Sequence, residues 1–305
     1  MSKRVHLLSM EINGEVRIGL TDEAQLYVID LQKAHSDKRE ESVWPSTLLE
    51  GIETGEEFVA NVASLRDWVF TQRNSRDYFI PMKEVRLLAP VPRPRKNIFC
   101  VGKNYREHVL EMGSEEDIPE HIMIFTKVPT TVIGHEEIIL LHEDVTGQLD
   151  YEGELAIVMG KGGKGIPIED AMDYIFGYTI VNDVTARDLQ KRHSQFFLGK
   201  SLDGTCPMGP VVVHKSAIDD PQCLKMKTMV NGEVRQFAST EQMIFSIPEI
   251  IATISKGMTL EPGDIIATGT PAGVGKGFDP PRFLTGEDVI EVCIEKIGVL
   301  RNTVK

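Results

Sequence analysis

Three acidic side chains carry the clearest chemical signal in this 305-residue chain. Glu152 and Glu154 lie two apart in Asp150-Tyr-Glu-Gly-Glu-Leu-Ala-Ile-Val-Met159, and the apolar run after them reads as a mostly buried strand. Alternation along a strand turns both glutamates to one face, about 7 Å apart at the backbone. Like charges placed so repel unless water screens them or a cation lies between them. Asp183 follows a second apolar run, Tyr178–Val181, where a strand should hand over to a helix. Three oxygen donors with positions to spare suit Mg2+ or Mn2+, and without His or Cys in the set zinc is less natural. The same spacing also suits a solvated strand face with Asp183 capping the next helix. Spacing alone leaves both readings open.

A second constellation is His108 and Glu111, three apart and on one face if residues 104–111 form a short helix. A carboxylate set against an imidazole fixes its tautomer and raises its basicity, which makes a general base near neutral pH. An ordinary surface pair has the same spacing. The next stretch, Met112 to Pro119, is acidic and broken by Gly and Pro, the composition of a movable loop. Lys127 and Lys200 each stand beside an expected strand end, where a lone lysine is usually solvated, and Arg187 and Gln190 lie one turn apart after Asp183. Two glycine-rich stretches carry no nucleotide signature: residues 160–165 are followed by Ile166 where a phosphate-binding loop needs Lys, and Gly273-Val-Gly-Lys-Gly277 lacks dinucleotide spacing.

The elements that must hold these groups are mainly β. Asn13-Gly14 between alternating runs His6–Ile12 and Glu15–Thr21 predicts a hairpin, with a third strand over Gln25–Leu31. Val62, Leu65 and Trp68–Val69 recur at helical spacing and predict a helix over about residues 58–72. Residues 88–97, with three prolines, read as a linker. The expected organisation is a small N-terminal α+β domain over residues 1–92 and a larger domain over 93–305. Beyond the linker, strands are expected at Asn97–Val101, Leu155–Met159, Tyr178–Val181, Pro210–Val213 and Asp264–Ala267. A hairpin is expected about Asn231-Gly232. Helices are expected at Ile168–Phe176, at Thr185–Arg192, and from the capping box Ser246-Ile-Pro-Glu249 to Gly257. The fold class is therefore α+β, mainly β with a few packed helices.

Taken in order, LDYEGELAIVMGK, FGYTIVNDVTARDLQ, FFLGKSLDGTCPMGP and GDIIATGTPAGVG resemble the fumarylacetoacetate hydrolase superfamily, as does VGKNYREHVLE (residues 101–111). The resemblance covers most of residues 97–298 and implies that family's mixed β-sandwich roll. It implies Mg2+ or Mn2+ on Glu152, Glu154 and Asp183, His108 with Glu111 as a catalytic pair under a lid, and Lys200 beside the metal stabilising an enolate oxygen. Arg187, Gln190 and Lys127 become candidate substrate contacts, and Gly269 with Thr270 matches the segment offering backbone N–H and hydroxyl donors to a 2-oxo acid. Gly204 and Val128 depart from the commoner pattern, which has threonine and proline there; the departures bear on substrate choice. Homodimers are typical of the family.

A formal net charge of -13 argues against nucleic-acid or membrane-surface partners and requires local cations or a metal to receive an anionic substrate. Four cysteines without a C-x-x-C pair read as free thiols, and the N-terminal stretch lacks a leader pattern. The expectation is a cytoplasmic, metal-dependent enzyme that cleaves a C–C bond next to a 2-oxo acid through an enolate. Oxaloacetate-type decarboxylation comes first, with acylpyruvate hydrolysis or 2-hydroxyhepta-2,4-diene-1,7-dioate isomerisation as alternatives. The reading from another class is a binding or scaffold protein with a vestigial metal site.

Overall fold

Asn13 and Gly14 both take positive φ, 53° and 81°, the backbone that a tight two-residue hairpin turn demands. They join β1 (His6–Ile12) to β2 (Glu15–Thr21), as the residue pattern predicts. A computed structural model describes residues 5–39 and 43–305 of the chain; residues 1–4, part of the stretch read for a leader, lie outside the described residues. β3 (Tyr27–Asp30) is followed by α1 (Leu31–Lys38), α2 (Leu48–Thr54) and α3 (Glu56–Thr71), and β4 (Phe79–Pro81) returns to the sheet. α3 buries Phe58, Val62, Leu65 and Val69, the i, i+4, i+7 stripe of a helix lying on a sheet.

After the proline-rich segment come β5 (Ile98–Gly102), α4 (Arg106–Met112), β6 (Met123–Lys127), β7 (Gly153–Met159) and β8 (Ile175–Asn182). Then follow α5 (Arg187–Arg192), α6 (Phe197–Lys200), β9 (Cys206–His214), β10 (Lys225–Val230), β11 (Glu233–Ser239) and α7 (Ile247–Ser255). β12 (Ile265–Ala267), β13 (Val289–Ile294) and β14 (Gly298–Val304) end the chain. One large sheet runs β4-β3-β2-β1-β9-β8-β7-β12-β5-β6, and a smaller one pairs β11, β10, β13 and β14 with Ile138–Ile139. β1 pairs directly with β9, His6 opposite Val213 and Leu7 opposite Val212, so the sheet continues across the proline-rich segment.

The core lies on both faces of the large sheet. Leu155, Ile157 and Met159 of β7 pack toward the small sheet and α7, whereas Ala156 and Val158 pack with the cluster that contains α3. β7 and β8 are buried at every position, which is why they read as near-continuous apolar runs.

Three local expectations are corrected. Ile168–Tyr174 is a 3-10 segment in which only Ala171 is buried, and Ile175 already belongs to β8, pairing with Met159. Thr185–Ala186 forms a short strand with Leu149–Asp150, so the helix begins only at Arg187. β7 starts at Gly153, leaving Glu152 just before the strand.

Candidate active site

Glu152 is fixed by the end of β8. Its N–H donates to Asn182 Oδ1 (3.0 Å), and its carbonyl accepts the Asp183 N–H (2.8 Å). Glu154 lies on β7 with the parity of Ala156 and Val158, and its Oε2 accepts the Gly269 N–H at 2.8 Å. Gly269 has φ +104°, and a Cβ there would lie 2.7 Å from Asn104 Cβ, so only glycine brings that N–H to the carboxylate. Asn104 is itself pinned: it donates to the Thr268 and Phe245 carbonyls and accepts the Phe245 N–H. One carboxylate oxygen from each of Glu152, Glu154 and Asp183 lies within 4.8 Å of the others, and all three residues are buried. The solvated-face reading is thereby excluded. Among the described residues this is the one acidic, His or Cys cluster placed to hold a metal ion.

Buried cations surround the cluster. The Lys200 ammonium donates to Glu152 Oε2 (2.6 Å) and Asp183 Oδ2 (2.7 Å) and sits 4.8 Å above the Phe125 ring. Lys127 pairs with Asp183 Oδ1 at 2.8 Å and donates to the Val184 carbonyl. Arg187 donates through Nε to Asp150 Oδ2 (2.8 Å) and pairs through Nη1 with Glu152 Oε1 (2.7 Å); Nη1 also reaches Gln190 Oε1 at 3.3 Å. Burial by itself pushes Glu152 up, but Lys200 and Arg187 outweigh it and hold the carboxyl down at about 2. Glu154 goes the other way: burial, then Asp183 and Glu152, push it well above the usual carboxylate range.

The charge count tests the metal. Glu152, Glu154, Asp183 and Asp150 supply four buried carboxylates, against the three cations Lys127, Lys200 and Arg187. Glu154 is the carboxylate left without a cation of its own, holding one backbone N–H. A hard divalent cation on an all-oxygen donor set answers that deficit, so the residues present fit Mg2+ or Mn2+.

His108 Nδ1 and Glu111 Oε1 are 2.9 Å apart on α4, and the Glu111 carboxylate also accepts the Gly273 N–H at 2.9 and 3.1 Å. With Glu111 an acceptor, the hydrogen-bond network assigns the proton to Nδ1 and leaves Nε2 as the imidazole's basic nitrogen. The loop after α4 is ordered by a Ser114–Asp117 capping box and by Lys103 and Arg106, which pair with Asp117 and Glu115.

A cleft with a cavity volume of about 250 Å3 joins these groups; His108, Glu152, Glu154, Arg187, Gln190, Lys200 and Thr270 line it. Of the residues singled out in the sequence, Asp183, Glu111, Lys127 and Gly269 do not line it: Lys127 and Gly269 support Asp183 and Glu154, and Glu111 holds His108. Thr270 donates to the Gly153 carbonyl and accepts from Gln236. Sequence reasoning missed Asp150, the buried partner of Arg187, and Lys276, which lines the cleft from the glycine-rich stretch set aside as a nucleotide decoy. The signals available were Asp150 adjoining the acidic motif and a lysine flanked by two glycines.

Comparison with known proteins agrees with this architecture. The family model for the fumarylacetoacetate (FAA) hydrolase C-terminal region matches residues 97–305, and the chain belongs to that family. Over 278 residues, 91% of this chain and 92% of the relative, it is 60% identical to oxaloacetate tautomerase YisK of Bacillus subtilis (strain 168). A solved fumarylacetoacetate hydrolase from Exiguobacterium antarcticum superposes with TM-score 0.81 at 43% identity, covering 99% of each chain. The 2-hydroxyhepta-2,4-diene-1,7-dioate isomerase of Mycobacterium marinum does so with TM-score 0.72 at 31% identity, covering 98% of each. Relationships of this breadth support an enzyme, with a FAH-type α+β fold, acting on a small molecule. No helix among the described residues is long and apolar enough to cross a membrane.

Proposed function

We propose that the protein is a divalent-metal-dependent enzyme that interconverts the keto and enol forms of oxaloacetate by moving a proton at C3. The observation that carries this reading is that His108, hydrogen-bonded to Glu111, lines the same cleft as Glu152 and Glu154, whose carboxylates cluster with that of Asp183. A base within reach of C3 is what proton transfer requires. The 60% identity to an oxaloacetate tautomerase supports the same choice.

Glu152, Glu154 and Asp183 would hold the ion; when bound, Mg2+ or Mn2+ supplies Lewis acidity toward a 2-oxo carboxylate. His108 Nε2 takes the proton from C3, and the Nδ1 hydrogen bond to Glu111 stabilises the imidazolium that results. Charge then gathers on the C2 oxygen. Burial lowers the Lys200 ammonium, but Asp183 and Glu152 raise it further, so it stays charged and offers a fixed positive donor to that oxygen. The imidazolium then hands that proton to the C2 oxygen, which completes the enol, and the same two transfers in reverse restore the keto form. Met112, Phe125 and Phe196 line the cleft and limit water beside the carbanionic carbon.

Decarboxylation is the second reading. Loss of the C4 carboxylate as CO2 leaves its electron pair as negative charge at the same C2 oxygen, and the Lys200 ammonium favours it. This route needs no base in its first step.

The test separates the two. Enol decay is followed by ultraviolet absorbance and pyruvate release by a coupled assay, both with Mn2+. His108→Ala and Glu111→Gln should slow tautomerisation by about 10²-fold or more while leaving Mn2+ affinity unchanged. Tautomerisation unaffected by either variant would remove the proposed base. Hydrolysis of an acylpyruvate by protein inert toward oxaloacetate would overturn the substrate.

A further inference from the structure

The stretch Gly273-Val-Gly-Lys-Gly277 brings a single cation to the mouth of the cleft and fixes its backbone there. Asp150 Oδ1 accepts the Gly275 N–H (2.7 Å), and Asp150 Oδ2 accepts both the Lys276 N–H (3.1 Å) and Arg187 Nε (2.8 Å). One buried carboxylate thus places two cationic residues at once. The glycines flanking Lys276 leave no room for other side chains: a Cβ on Gly275 would lie 2.6 Å from Asp150 Oδ1, and one on Gly277 2.5 Å from Glu111 Oε2.

Lys276, Lys191 and Arg187 line the same cleft. Among the described residues no ion pair holds the Lys276 ammonium, and burial followed by Arg187 and Lys191 depresses it. Arg187 adds an independent sign. Its side chain is 2% exposed, and its Nη2 has no hydrogen-bond partner although Nε and Nη1 are satisfied. A buried guanidinium nitrogen without a partner is costly, and an anion delivered to the cleft removes that cost. The acidic cluster claims one end of a 2-oxo acid, so the unsatisfied cations suit a second carboxylate.

We propose that Lys276, with Nη2 of Arg187, recognises the substrate carboxylate remote from the acidic cluster and so selects 2-oxo diacids over 2-oxo monoacids. The inference rests on the oxaloacetate reading and adds a specificity residue to it; Asp150 is the positioning residue for both cations.

The experiment compares wild type, Lys276→Met and Lys276→Arg, all with Mn2+, by the KM for oxaloacetate and by competitive inhibition with oxalate, which is too short to reach beyond the acidic end. Lys276→Met should raise the KM about tenfold, the scale of one charge-assisted hydrogen bond at a partly exposed site, with kcat and oxalate inhibition nearly unchanged. Lys276→Arg should restore most of the loss. An unchanged KM, or an equal loss of oxalate inhibition, overturns the inference and leaves the oxaloacetate reading standing. Wild-type protein inert toward oxaloacetate overturns that reading and the inference with it.

Discussion

Replacing Glu154 with Gln tests the acidic cluster most directly, because this side chain is buried beside two other carboxylates with one N–H donor, from Gly269. Gln keeps an oxygen for that N–H and removes the charge. In wild type without metal, the Glu154 carboxyl sits above its ordinary value of 4.5, so the folded state binds more protons than the unfolded one above that pH. Metal-free stability therefore falls as pH rises from 4.5, and the variant escapes that fall. Metal reverses the order. At a metal concentration 100 times Kd, mass action stabilises wild type by about 2.7 kcal/mol. An unfolding entropy of about 2.1 cal/mol/K per residue over this chain converts that to a rise in Tm of about 4 °C. The assay is thermal unfolding at pH 8 with and without Mn2+. Glu154→Gln should melt at or above wild type without metal and lose most of the metal-induced rise. A variant that keeps the full rise, or a wild type that Mn2+ leaves unmoved, refutes the assignment of these carboxylates.

Asp150→Asn should destabilise the protein by about 3 kcal/mol, the low end for breaking a buried ion pair, because Arg187 keeps Glu152; a change in urea-unfolding stability below about 1 kcal/mol would make the pair dispensable. His135 is held below its ordinary 6.5 chiefly by burial, and its Nδ1 accepts the Arg301 N–H, which requires the neutral ring. The folded state then binds fewer protons than the unfolded one just below pH 6.5, so stability is lost as pH falls through that window. His135→Asn should flatten this part of the pH–stability curve, and an unaltered slope would refute it.

Much of the scaffold was legible because local chemistry and tertiary demand agree. The Asn13-Gly14 turn, the α3 stripe and the Ser246 capping box each appear where the residues place them. The 168–176 segment failed because sheet pairing with Met159 claimed Ile175, overriding a weak helical pattern. In the site, the His108–Glu111 interval was readable because it depends on the period of one helix, and the E-x-E pair was readable although Glu152 stands just before the strand that carries Glu154. The cations were readable only through the family resemblance. Lys127, Lys200 and Arg187 are buried only because carboxylates distant in sequence meet them, and a lysine read alone looks solvated. Lys276 was hidden for a related reason: its glycine neighbours serve Asp150 and Glu111, contacts made by tertiary folding.

Because β1 lies between β2 and β9 in one ladder, the first strand of the chain forms the lateral wall of the strands that carry the chemistry. β8, which ends one residue before Asp183, is the next strand beyond β9. Excising the N-terminal third would strip β9 of its hydrogen-bonding neighbour and uncover Val212, leaving a sticky, unpaired border two strands from the acidic cluster. A minimal version of this enzyme therefore has to retain that hairpin, or supply a substitute strand, to stay dispersed in solution.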